Sequence, residues 1–167
     1  MSLVVRPARP EPVELDRIGE LTFDAYAADG FVTAGNDYAH HLRDAGSRAA
    51  QAELYVATGE VGALLGTVTF CPEGSAYREL ARPGEAEFRM LAVDPAARGR
   101  GVAEALVRLC VERSLELGYG ALVLSSMPSQ KQAHRLYERI GFHRTPDLDW
   151  SPVPDVELLG YRHDLSR

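Results

Sequence analysis

The sequence predicts a single α/β domain spanning residues 1–167, and three observations carry that expectation. The chain has 167 residues, 46% of them hydrophobic and 25% charged, which is the profile of a globular domain able to bury a core without disulfide staples. Three β-type runs follow one another mid-chain and then give way to strand–helix alternation. No repeat, low-complexity tract or proline-rich linker divides the chain.

The elements follow in order. Residues 3–6 read as a short strand stopped by Pro7, and residues 13–26 as a helix, with Leu15, Ile18, Leu21 and Phe23 spaced near the helical period. A glycine-punctuated loop over 28–36 leads to a second helix over 38–51, with Asn36 or Asp37 as N-cap. Three strands are expected at 53–58, 62–71 and 85–93, the first two separated by the Gly59-Glu60 turn, and together they suggest an antiparallel meander. From Val102 the period becomes helical, with Ala103, Leu106, Val107, Cys110, Val111, Ser114 and Leu115 on one face and a stop near Gly118. A strand at 121–125, a helix at 129–140 closed by Gly141, and strands at 142–150 and 156–165 complete the order β-α-α-β-β-β-α-β-α-β-β.

Composition excludes several classes of function. The net charge is −6, from 24 acidic and 18 basic residues, and Lys131 is the only lysine. Such a chain repels a phosphate backbone and favours a cationic small molecule or peptide over nucleic acid. Cys71 and Cys110 stand apart from any CxxC or Cys/His spacing, as small hydrophobes of a reducing compartment do. No apolar run reaches membrane-spanning length and no leader is evident, so the expectation is a cytoplasmic protein without a membrane partner. His40 and His41 are adjacent on one helix while His134, His143 and His163 are scattered, so no metal site is expected. No serine sits in a GxSxG elbow, so a nucleophilic serine of that kind is unsupported.

Most of the chemical information lies between Glu85 and Arg113. The strand over 85–93 runs into Asp94-Pro95, and Arg98-Gly99-Arg100-Gly101-Val102-Ala103 then opens the long helix. The first N–H groups of a helix lack internal partners and carry the positive end of its dipole, and a glycine-rich entry lets a phosphate approach them. Arg98 and Arg100 add two cationic donors. A diphosphate ligand is the natural inference, although a solvated basic loop ahead of a structural helix would read the same way from these four residues alone. The segment is not GxGxxG, because Glu104 stands where the third glycine belongs, and no GxxxxGK loop is present.

The turn, with Arg98, Gly101 and Ala103 after Leu91-Ala92-Val93-Asp94-Pro95, resembles the Gln/Arg-x-x-Gly-x-Gly/Ala signature of the GNAT superfamily of acyl-CoA N-acyltransferases. A second signature is similar as well: Ala133, Leu136-Tyr137-Glu138 and Gly141-Phe142, on a helix leading through Gly-Phe into a strand. The resemblance implies a GNAT-like domain with a mixed, mostly antiparallel sheet of about seven strands and helices on both faces. It implies an N-acetyltransferase that takes acetyl-CoA as cosubstrate and a small-molecule or peptide amine as acceptor, in an assembly that is often a homodimer. It further implies cofactor contacts from Leu91, Ala92 and Val93, whose backbone N–H groups would polarise the thioester carbonyl, and from Arg98, Gly99, Arg100, Gly101, Val102 and Ala103.

An alkyl ammonium has a pKa of about 10.4, so a base must take its proton. Glu87, six residues before Val93, is the first candidate, with Glu85 one pleat away as fallback; an exposed strand glutamate paired with Arg89 is the structural alternative. Tyr137 is the candidate general acid for the departing sulfur, although a tyrosine on an apolar stripe also packs for its ring alone. Gln130 stands where many relatives place the asparagine that contacts the pantetheine arm, offering the same amide at greater reach, and Ser125 and Ser126 end the preceding strand. By the same resemblance the acceptor enters between the loop over 28–37, with Asp29 and Asp37, and the segment 143–157, with Asp147, Asp149, Asp155 and Glu157, walled by Tyr38 and Trp150. Two readings compete with an enzyme: a catalytically silent acyl-CoA sensor, to which the glutamine at 130 points, and a non-catalytic interaction protein that binds no coenzyme A.

Overall fold

The computed structural model describes residues 2–32, 35 and 37–165. Alternation of side chains along the central strands decides the layering. In β2 (Glu53–Thr58), Leu54 and Val56 face one way and Ala57 the other, into two separate apolar clusters. The sheet is therefore buried on both faces, between α1 (Pro12–Ala28), α2 (Asp37–Arg43) and α3 (Ala45–Gln51) on one side and α4 (Val102–Glu116) and α5 (Lys131–Ile140) on the other.

β2, β3 (Leu64–Cys71) and β4 (Glu85–Val93) pair antiparallel in turn, which is the expected meander, and β1 (Val4–Pro7) extends it by lying antiparallel on β2. β4 then runs parallel to β5 (Ala121–Ser126), joined through α4, and β5 is antiparallel to β8 (Val156–Asp164). β6 (His143–Arg144) and β7 (Trp150–Val153) both pair with β8, giving an eight-stranded mixed sheet. The larger core packs α4 and α5 residues Val102, Leu106, Val107, Leu136 and Tyr137 on Val68, Phe70, Phe88, Leu122 and Leu124. Both cysteines are buried and free, and burial pushes the Cys71 thiol up to about 12.

Three expectations are corrected. The helix expected over 38–51 is two helices, because Asp44 leaves helical geometry at ψ 66° and its side chain accepts from the Ser47 N–H as the N-cap of α3. The bend lets the end of α2 rest on α1, where a Cβ on Gly19 would come within 2.2 Å of the Arg43 carbonyl oxygen. Asn36, one of the two expected caps, lies outside the described residues. The strand expected to begin at Gly62 begins at Leu64, after a 3-10 turn over Glu60–Gly62 in which Val61 takes φ 55°. The single strand expected over 142–150 is β6, a 3-10 turn at Pro146–Leu148 and β7, which makes eight strands rather than about seven. Pro146 opens that turn, and a two-pronged Arg144–Asp149 ion pair at 2.6–2.7 Å closes it, with Asp149 also accepting from the Gly160 N–H.

Candidate active site

β4 and β5 pair only through Glu85, Ala86 and Glu87 opposite Ala121, Leu122 and Val123. A cleft of about 590 Å³ lies beyond that pairing, lined by Leu91, Ala92 and Val93 of β4, by the turn into α4, by the start of α5 and by Tyr26 and Phe31 beyond the sheet. β4 is bulged as it reaches the cleft. Thr67 pairs with Ala92 but Thr69 with Arg89, so Met90 and Leu91 oppose Val68 alone, and Met90 takes φ 54°. A bulge frees backbone groups from the ladder and re-aims the strand, which here happens at the cleft wall.

The turn over 98–103 presents its main chain. Gly99 and Gly101 both have φ near 80°, the left-handed region, and a Cβ on either would meet nothing within 4 Å. Glycine is needed there for conformation and not for room. Gly101 is also the N-cap of α4 with no side-chain capping bond, so the first N–H groups of that helix carry no side-chain partner. Gly99, Gly101, Val102 and Ala103 line the cleft. The chemistry of this donor set fits a diphosphate.

The two arginines differ from each other. Arg98 lines the cleft, but its guanidinium is bidentate on Asp29 at 2.9 and 3.1 Å and reaches the Ala25 carbonyl, tying the turn to the end of α1. Arg100 is exposed and is not among the lining residues.

Tyr137 lines the cleft with its ring held by Phe88, Phe142 and Tyr161, at centroid distances of 6.0, 5.8 and 5.9 Å. Burial raises its phenol far above the usual value, so it stays protonated at neutral pH. Gln130 is also at the cleft wall, and its Oε1 accepts from Ser126 Oγ and from the Met127 N–H, both at 2.9 Å.

Glu87 is placed apart from these residues. It is wholly buried on β4 and does not line the cleft; its Oε1 accepts from the N–H groups of Glu79, Leu80 and Ala81 at 2.8–3.1 Å, while Oε2 has no hydrogen-bond partner among the described residues. Burial raises its pKa, against the pull of those three N–H groups and of Arg89. Glu85 is engaged too, by Arg162 and by the Arg82 N–H. Nothing in the sequence announced that the 79–81 loop closes over Glu87, because that loop has no periodicity. Of the acidic residues expected around an acceptor, Asp29 and Asp149 are paired with arginines, while Asp37, Asp147, Asp155 and Glu157 are exposed. Among the described residues no group of three or more His, Cys, Asp or Glu could hold a metal ion, and no helix is long and apolar enough to cross a membrane.

Sequence comparison matches residues 17–142 to the acetyltransferase (GNAT) family. An uncharacterized N-acetyltransferase of Schizosaccharomyces pombe is 34% identical over 106 residues, 64% of this chain and 61% of that protein. Human N-acetylaspartate synthetase is 35% identical over 72 residues, 43% of this chain and 24% of that protein. The alignments thus span 61% and 24% of these two relatives, less than two thirds of either. In fold, a GNAT-family acetyltransferase from Staphylococcus aureus superposes with TM-score 0.74 at 13% identity, covering 99% of this chain and all of that one. A Salmonella typhimurium protein solved with its cofactor acetyl-CoA superposes with TM-score 0.68 at 18% identity, over 100% and 96% of the two chains.

Proposed function

The chain belongs to the acetyltransferase (GNAT) family, and from that premise we propose that it moves an acetyl group from acetyl-CoA to a primary amine by direct transfer within a ternary complex. The observation that carries this reading is one cleft bordered by a bulged strand, an uncapped glycine-rich helix start and a buried tyrosine. Acetyl-CoA supplies an activated acetyl thioester when bound.

The chain's own groups divide the work. The N–H groups of the turn ending in Gly101, Val102 and Ala103 hold the diphosphate, where helix dipole and orphan donors act together. Arg98 positions that turn through Asp29 rather than spending its fork on phosphate. A β4 backbone N–H at Leu91, Ala92 or Val93 donates to the thioester oxygen, and Gln130 donates to the pantetheine arm. Tyr137, kept protonated by burial, holds the proton that the leaving sulfur takes. Glu87 serves as base through water, because its free Oε2 lies outside the cleft wall while its raised pKa draws it nearer to neutrality. The buried thiols of Cys71 and Cys110 suit a reducing cytoplasm.

The same placement of Glu87 favours a second reading, a catalytically silent acyl-CoA sensor. Free-thiol release from acetyl-CoA against a panel of amines separates the two, with mass spectrometry of the amine that gains the acetyl group. Thiol release that depends on an amine is expected; binding without release selects the sensor, and no binding of coenzyme A overturns both.

A further inference from the structure

Ser126, Gln130 and His134 form a hydrogen-bonded chain beneath the cleft whose direction can be worked out atom by atom. The Met127 N–H donates to the Gln130 amide at 2.9 Å, so the atom receiving it is the oxygen, and the amide cannot be flipped. An amide oxygen only accepts, so the 2.9 Å contact with Ser126 Oγ uses the single hydroxyl proton of the serine. Ser126 therefore has only lone pairs left for His134 Nε2 at 3.1 Å, and the imidazole carries its proton on Nε2. Ser126 and His134 are 4% and 7% exposed, so water does not compete for these bonds. The His134 ring is held against Tyr161 at 5.2 Å between centroids, and burial holds its pKa below the usual value against a backbone hydrogen bond at Met127 that favours the protonated ring.

With Oε1 held by two donors on the protein side, the other branch of the planar amide is left for the cleft that Gln130 lines, and no bond among the described residues takes Nε2. We infer that Ser126 and His134 are positioning residues that lock the Gln130 amide with its NH₂ group toward the cleft, where it donates to an amide carbonyl of the acyl-CoA arm. The inference rests on the acyl-CoA reading above and adds to it two residues that do not themselves touch the ligand. The relay also accounts for glutamine at 130: its longer side chain folds back to cap the Met127 N–H while its amide still borders the cleft.

Calorimetry with two probes tests this. Coenzyme A carries the pantetheine arm, and adenosine 3′,5′-bisphosphate does not. His134→Phe keeps a ring against Tyr161 but removes the donor, and it should weaken coenzyme A about three- to tenfold while leaving the bisphosphate unchanged, the worth of one neutral hydrogen bond. His134→Gln, which restores an N–H donor at similar reach, should recover most of that loss. In a Gln130→Ala background, His134→Phe should have no further effect on coenzyme A, since it acts only through the amide. Equal weakening of both probes, or full additivity with Gln130→Ala, would mean a general packing role and overturn the inference. Unchanged coenzyme A affinity in His134→Phe would overturn it as well. Failure of the wild-type protein to bind coenzyme A would instead remove the acyl-CoA reading and this inference with it.

Discussion

Tyr137 concentrates two demands in one side chain. Its ring belongs to the main core, in edge contact with Phe88, and its residue borders the cleft. Tyr137→Phe keeps the ring and removes only the proton donor, so kcat should fall by about 10²-fold or more, with coenzyme A affinity and unfolding midpoint close to wild type. Unchanged kcat in steady-state thiol release would remove the acid assignment. At this scale the sequence was readable where residue type and spacing decide the placement: a tyrosine in a Leu-Tyr-Glu run and glycines in an Arg-Gly-Arg-Gly turn both come to the cleft wall. It was unreadable where the role lies in the surroundings. Glu87 shows its position on a strand but not the three N–H groups that enclose one of its oxygens. Ser126, Gln130 and His134 do carry a signal, four-residue steps from a strand end into a helix, which becomes meaningful only once that turn brings them together.

Among the elements, the turn into α4 shows how a local backbone requirement shapes a cleft wall. Gly101 sits at φ 79° with open space where a Cβ would point, so Gly101→Ala meets no clash and suffers only the left-handed backbone cost, about 1 kcal/mol. A urea midpoint should report that loss. Adenosine 3′,5′-bisphosphate affinity should fall with it as the turn shifts toward a conformation that withdraws its N–H groups, whereas a variant with lowered stability and unchanged affinity would detach the turn from phosphate binding. Elements with strong periodicity, α4 above all, were legible from their apolar spacing. The elements that departed from expectation break at polar side chains that satisfy backbone groups. Asp44 stops α2 by capping α3, and Asp149 folds β6 away from β7 by engaging both Arg144 and the Gly160 N–H. Periodicity does not register such caps, because the apolar pattern on either side continues through them.

For the whole molecule, stability against pH is set by groups whose burial or pairing changes on folding, and these act with opposite signs. Glu14 beside Arg6, Asp149 beside Arg144 and Asp164 beside Arg162 are all held below their ordinary values by hydrogen bonds from those arginines. Their contribution is present above the unfolded values of 4.5 for the glutamate and 3.8 for the aspartates and is lost as pH falls through the folded ones. His134, lowered by burial, adds a loss in the same direction that begins below 6.5. Glu87 runs the other way. Its folded pKa is raised, so folding takes up a proton there, and its contribution is complete below 4.5 and declines as pH rises through the folded value. That cost belongs to the buried carboxylate whether it serves packing or, as proposed, proton transfer. Glu87→Gln separates the two roles. The amide oxygen still accepts from the 79–81 loop and the NH₂ takes the place of Oε2, so in urea titrations the variant should gain stability relative to wild type above pH 4.5, with the gap widening until pH passes the folded value of the wild-type carboxyl. Its kcat for acetyl transfer should fall while coenzyme A affinity holds. Parallel stability curves would show that Glu87 does not titrate differently in the folded chain, and an unchanged kcat would leave the amine's proton to water alone.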